Sequence, residues 1–286
     1  MTYTGSIIDS HIHLWSLDRF RYTWLDGNEL LERDYLPHDF AAAIDGLPVE
    51  KLIFMQAAAL PEQAVDEARW AHELHASDPR VACVIADAPL EDPRRSGPAL
   101  DELRELPLVR GIRRLIQTEG DPAEFCRNAS FVNGVRKLPD YGFSFDICVN
   151  WRTLPAVNEL IENCPDVAFV LDHHGNPDTT HGELDPWREY ITRIAAHENV
   201  SCKISGLLTL ADPAWTPAGL IPYIEHVVES FGYDRVMFGS DWPVILRTGT
   251  YRQWFDTVCG ALESATDEQL RVVFHGNAER IYRLNG

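Results

Sequence analysis

Ile7-Ile8-Asp9-Ser10-His11-Ile12-His13 opens the chain with a short apolar run that ends in two imidazoles two residues apart. Successive side chains of a strand point to opposite faces, so this spacing predicts that His11 and His13 project the same way, together with Asp9, and grip one cation. Helical ligand pairs are spaced four apart instead. Two later runs repeat the form: Phe169-Val170-Leu171-Asp172-His173-His174-Gly175 and Val236-Met237-Phe238-Gly239-Ser240-Asp241-Trp242-Pro243. In each, an apolar strand ends on a metal-competent or acid/base side chain, and Gly or Pro then starts a loop.

Apolar, β-branched runs of this kind begin near Ile7, Leu52, Val81, Val109, Phe143, Ala168, Val200 and Val236. Segments with helical periodicity lie between most of them: Ala64 to Ala76, Pro122 to Leu138, Leu154 to Asn163, Pro186 to His197 and Pro217 to Phe231. Eight near-continuous apolar strands alternating with helices predict an α/β fold, a single-domain (β/α)8 TIM-type barrel over residues 1–286. A doubly wound open sheet is the alternative, but no glycine-rich nucleotide-binding loop follows an early strand. The stretch from Trp15 to Phe40 is too long for a simple loop and rich in aromatics. It reads as an aromatic-rich insertion after strand 1 that folds over the catalytic mouth. Thr266 to Leu284 reads as a closing helix or two, broken at Gly276-Asn277.

With 286 residues, 45% of them hydrophobic, the chain can bury a full core. Its net charge of −19 argues against a nucleic-acid partner, since affinity for phosphate backbones comes from Lys and Arg. Nothing approaches the ~20 apolar residues needed to span a bilayer, and no secretory leader is evident, so a cytoplasmic protein with no membrane partner is expected. The six cysteines form no close pairs and are expected to be reduced and buried. A homo-oligomer stays open.

A barrel gathers the C-terminal ends of its strands on one face, which would make neighbours of His11, His13, His173 and Asp241. Three imidazoles and a carboxylate suit one divalent metal, zinc by its donor preference, with an open position for water or substrate. Of the adjacent histidines, parity with Phe169 and Leu171 favours His173 as the inward one. His181 is expected to be a solvated loop histidine.

The strand-one His-x-His, the Asp172-His173-His174-Gly175 end and Phe238-Gly239-Ser240-Asp241-Trp242-Pro243 resemble the amidohydrolase superfamily. Gly111-Ile112-Arg113-Arg114-Leu115, Ser144-Phe145-Asp146, Cys202-Lys203-Ile204-Ser205-Gly206-Leu207 and Gly276-Asn277-Ala278-Glu279-Arg280-Ile281-Tyr282 narrow the resemblance across essentially the whole chain. They are similar to the branch containing L-fuconolactonase, L-rhamnonolactonase and 2-pyrone-4,6-dicarboxylate lactonase. Two-metal members carry a bridging lysine on strand four, where this chain has Arg113 and Arg114, so the resemblance implies at most one metal. It also implies a version in which catalysis does not require the metal, with Arg113 and the histidines supplying the positive field. Asn176 stands where many sugar lactonases of this branch have lysine.

The activity so implied is opening of a sugar-acid lactone, an aldonolactone of the L-fucono or L-rhamnono type. Asp241 would activate the attacking water, His173 would orient substrate or water, and Arg113 would contact the carbonyl or a carboxylate. Gln56 is expected to contact a hydroxyl, and Trp24, Trp151 and Trp242 to offer faces to the sugar. Lys203 is either a substrate contact or a paired structural lysine. Trp70, Trp187 and Trp254 read as core. The alternatives are hydrolysis of a pyrone dicarboxylate lactone and metal-dependent decarboxylation of an aromatic or related acid. The acidic surface favours a neutral sugar lactone.

Overall fold

The computed structural model describes residues 3–182 and 184–284. Eight parallel strands follow one another in sheet order as in sequence: β1 (Ile7–Ile12), β2 (Val49–Met55), β3 (Val81–Ala86), β4 (Val109–Leu115), β5 (Ser144–Cys148), β6 (Phe169–Leu171), β7 (Val200–Ile204) and β8 (Val236–Phe238). The sheet closes where the chain leaves β8. Asp241 N–H donates to His11 O at 2.8 Å and His13 N–H to Trp242 O at 2.7 Å, beside an Ile12–Trp242 bridge. The predicted single-domain (β/α)8 barrel is what the chain forms.

Parallel strands buried on both faces need apolar residues of both parities. One set (Ile8, Ile53, Met55, Cys83, Ile85, Val170, Met237) fills the barrel interior with Tyr282 of the last helix, Asn277–Ile281 and its following turn. The other set, including Ile7, Leu52, Phe54, Phe169 and Leu171, packs outward against the helices. All six cysteines are free and buried. No helix among the described residues is long and apolar enough to cross a membrane.

Two helical expectations change. Pro122 to Leu138 is interrupted at Asn128, whose extended backbone ends Pro122–Arg127 while its side chain accepts from Ser130 N and Phe131 N to start Ala129–Arg136. Conversely, Gly276-Asn277 breaks nothing. A π turn over Val272–Gly276 carries the chain into the final helix, and Asn277 Nδ2 donates to Tyr233 O and Val236 O, both at 2.7 Å.

The insertion after β1 is ordered by its aromatics. Trp15, Tyr22, Tyr35 and Phe40 are buried, each such side chain contributing on the order of 1.5–3 kcal/mol. An antiparallel Trp15–Tyr35 bridge ties its ends, and Trp24, 37% exposed, stands at the opening above the barrel.

Candidate active site

His11 and His13 do reach the barrel interior, but not by simple alternation. Ile8 also faces inward, an odd separation from both, and a register shift between Asp9 and Ile12 supplies the change of parity. Asp9 therefore does not join them. It turns toward β8, where Oδ1 accepts from Ser240 N at 2.9 Å and His11 N at 3.1 Å. Burial raises its carboxyl to about 6.

His173 arrives by a different route from the parity expected for it. Phe169 and Leu171 face outward, and Val170 and Asp172 face inward. The chain then makes a left-handed turn, with φ of 53° at His173, 57° at His174, 70° at Gly175 and 48° at Asn176. This reversal directs the His173 ring into the site. His174 points away, Nδ1 facing Ser205 O at 3.2 Å, and burial lowers its pKa to about 3. Gly206 makes room for His173: a Cβ there would sit 2.3 Å from His173 Nδ1.

The four expected metal-ligating residues converge. Asp241 Oδ1 lies 3.3 Å from His13 Nε2, 3.6 Å from His11 Nε2 and 3.9 Å from His173 Nε2, and the two strand-one Nε2 atoms are 3.2 Å apart. Each ring is held from behind. His13 Nδ1 faces Met55 O at 2.9 Å, His173 Nδ1 faces Ser205 Oγ at 2.9 Å, and His11 Nδ1 faces Asp172 Oδ1 at 3.3 Å. The Met55 carbonyl can only accept, so it requires Nδ1–H on His13 and leaves that ring's Nε2 for the cavity side.

The donor set fits one divalent metal. Tetrahedral ligands on bonds of about 2.0–2.1 Å stand roughly 3.4 Å apart; His11, His173 and Asp241 present ligand atoms all within 4.8 Å of one another, and His13 Nε2 stands 3.2 Å from His11 Nε2 and 3.3 Å from Asp241 Oδ1. Burial holds His11 well below its ordinary pKa and lowers that of His173, which favours the neutral rings that a metal would need. Burial alone would push the Asp241 carboxyl up. His173, His13 and His11 outweigh it and keep the group ionised. Cys148, Asp172 and His173 also cluster within 4.8 Å. There, however, the thiol is raised by burial to about 11 and accepts from Arg113 Nη2, and Asp172 is engaged by two cations.

Beneath these ligands runs a buried chain of charge. Arg113 Nε donates to Asp172 Oδ2 at 2.8 Å, and Lys203 Nζ lies 3.0 Å from Asp172 Oδ1 and 2.6 Å from Asp146 Oδ2, which also accepts from Tyr282 OH at 2.6 Å. Lys203 approaches His11 Nδ1 at 3.4 Å, a longer contact than those to the carboxylates. Burial disfavours charge on Asp172, but Lys203, His11 and Arg113 hold it ionised. Lys203 is thus a paired structural lysine, and Arg114 faces away to Glu91 at 2.8 Å.

A cavity of about 460 Å³ opens above, lined by His13, His173, Asp241 and Arg113, and by Gln56 and Trp24 at its side and rim. Trp24 Nε1 donates to Ala57 O at 2.8 Å, and Gln56 Oε1 accepts from Ala58 N at 2.6 Å. The other two tryptophans do not reach it. Trp242, 1% exposed, follows inward-facing Asp241 and so points outward, edge-on to Tyr35 and Phe40 at 5.3 Å. Trp151 begins a short turn over Trp151–Thr153, and its ring is covered by the Arg152 guanidinium at 4.4 Å. His181 is exposed and faces Asp178. Asp172, Asp146, Tyr282, Gln117, Asn176 and Arg247 are site or supporting residues that carried no assigned role in the sequence. The parity applied to Phe169, Leu171 and His173 places Asp172 outward, so alternation gave no signal for it.

A closed parallel barrel with a His/His/His/Asp constellation at its C-terminal face defines a hydrolase-type barrel capable of holding a single metal. The chain belongs to the amidohydrolase family, whose model matches residues 8–284. L-fucono-1,5-lactonase of Burkholderia multivorans is 32% identical, covering 97% of this chain and 96% of that protein. The enzyme of the same name from Burkholderia ambifaria is 29% identical, covering 97% and 96%. An amidohydrolase from Burkholderia multivorans, solved with bound zinc, superimposes with a TM-score of 0.88 at 31% identity, covering 98% of this chain and 99% of that one.

Proposed function

We propose that this protein hydrolyses the lactone of a sugar acid, an aldonolactone of the L-fucono or L-rhamnono type. The observation that carries the reading is the ionised Asp241 carboxylate at the floor of a cavity of about 460 Å³, ringed by three imidazoles. That volume suits a single sugar ring. The lactonases among the relatives support the same substrate class.

In the proposed reaction the ring carbonyl sits over the histidines. Asp241 accepts a proton from the attacking water as its oxygen adds to the carbonyl carbon. The addition product collapses by breaking the bond to the ring oxygen, and Asp241 returns the proton there, giving the open hydroxy acid. Arg113 supplies positive charge at the cavity wall. Burial works against its charge, and the Asp172 carboxylate sustains it. His11, His13, His173 and Asp241 would hold a divalent cation, zinc by donor type, which when bound polarises the carbonyl and lowers the pKa of water. Gln56 and Trp24 bind the sugar from the side and rim.

Proton release read with a pH indicator, across L- and D-aldonolactones and the pyrone dicarboxylate, before and after chelation, tests the proposal. Turnover of one aldonolactone series supports it, and survival after chelation assigns carbonyl activation to Arg113 and the histidines. Silence across the panel in metal-loaded protein overturns it, and carbon dioxide release from a hydroxybenzoate would then establish decarboxylation.

A further inference from the structure

Asn176 ends the left-handed turn that begins at His173, and its backbone N–H donates to His173 O at 2.8 Å. Its side chain is 8% exposed, and both amide hydrogens are committed. Nδ2 donates to Val149 O at 2.7 Å and to Gln117 Oε1 at 3.1 Å. The backbone carbonyl can only accept, so it fixes which end of the Asn176 amide faces it. Gln117, on the turn Ile116–Thr118 after β4, is fixed in consequence: it presents Oε1 to Asn176 and keeps Nε2 for another partner.

Among the described residues, Asn176 Oδ1 has no donor and Gln117 Nε2 no acceptor. Both residues line the cavity that contains His173 and Asp241. The wall therefore offers one acceptor and one donor of settled polarity, the acceptor on the left-handed turn that starts at His173 and the donor on the turn after β4. A neutral hydroxyl, or two on adjacent carbons, satisfies both at once. A carboxylate would meet the Asn176 oxygen acceptor to acceptor, and an unsubstituted ring would leave both groups unpaired.

Resting on the lactonase reading, we propose that Asn176 and Gln117 form the hydroxyl-reading subsite of the cavity and determine specificity for a neutral, polyhydroxylated lactone. The pair selects by configuration, since the turn sets the distance from the attacked carbonyl to the hydroxyl being read.

The test compares kcat/KM for the best aldonolactone, its epimers at ring hydroxyls and δ-valerolactone, in the wild type and in Gln117→Leu, Gln117→Glu and Asn176→Gly. Asn176→Gly keeps access to left-handed backbone, and the Gln117 variants alter an exposed turn. Expected is a wild-type preference for the sugar lactone over δ-valerolactone. That ratio should fall at least about tenfold in each variant, as loss of one well-placed hydrogen bond predicts, with discrimination between epimers narrowing in parallel. Gln117→Glu matches glutamine in size but lacks the donor, so an equal fall there assigns the effect to the hydrogen bond. Wild-type turnover with a ratio unchanged within about twofold in the Gln117 variants overturns the subsite alone. Wild-type inactivity on every lactone overturns the lactonase reading and the subsite with it.

Discussion

His11 Nδ1 lies 3.3 Å from Oδ1 of Asp172, a buried carboxylate standing behind a candidate ligand histidine. Groups that orient metal-bound imidazoles in this way tune affinity by about 10–100-fold. Asp172→Asn is therefore expected to weaken zinc binding by that factor, measured by competition with a chromophoric chelator. Unchanged affinity would show that His13, His173 and Asp241 hold the ion without this support.

Among the described residues, Asp241 is the one carboxylate in the cavity with three imidazole neighbours. Replacing it with Asn should lower kcat by at least about 10²-fold, the scale of general base catalysis. The far-ultraviolet spectrum and melting temperature should change little. Retained turnover would remove Asp241 as the base.

Gly206 has φ of +70°, and a Cβ there would lie 2.3 Å from His173 Nδ1. Gly206→Ala should displace the ring, lowering kcat by about 10²-fold as a misplacement of ~1 Å does. It should also cost about 1–2 kcal/mol in stability from the backbone conformation. Thermal melts and turnover measured on the same preparation check both.

Glu67, buried beside the strand-two loop and accepting from Ala57 N, has its carboxyl raised by burial to about 8. An acid whose pKa rises on folding binds its proton more tightly in the native state. Its contribution is fully present below the unfolded value and is lost as pH climbs toward 8. Glu67→Gln should consequently gain on the wild type between about pH 5 and pH 8, by on the order of 4 kcal/mol at ~1.4 kcal/mol per unit. Urea titrations at both ends of that window decide it; a constant difference would mean the carboxyl ionises normally.

The barrel was legible because its strands are apolar in both parities, and the convergence of His11, His13, His173 and Asp241 because each lies at or just past the end of a strand. Where alternation was the guide it misled twice. The shift in β1 redirects Asp9, and the left-handed turn after β6 brings His173 inward beside an inward Asp172. Neither irregularity leaves a mark in hydrophobic pattern. Trp242 is the reverse case: its position directly after inward-facing Asp241 already implied an outward side chain. The buried line from Tyr282 to Arg113 was hidden for another reason, since it joins elements 169 residues apart through polar groups that resemble surface residues in sequence.

The turn from His173 to Asn176 also bears on how this protein can diverge. Four consecutive positive φ angles confine tolerated replacements largely to Gly, Asn and Asp. A lineage drifting toward a new substrate thus has few single steps open on that wall. It has many in the loops after β1, β4, β7 and β8, so selectivity should evolve around a frozen edge.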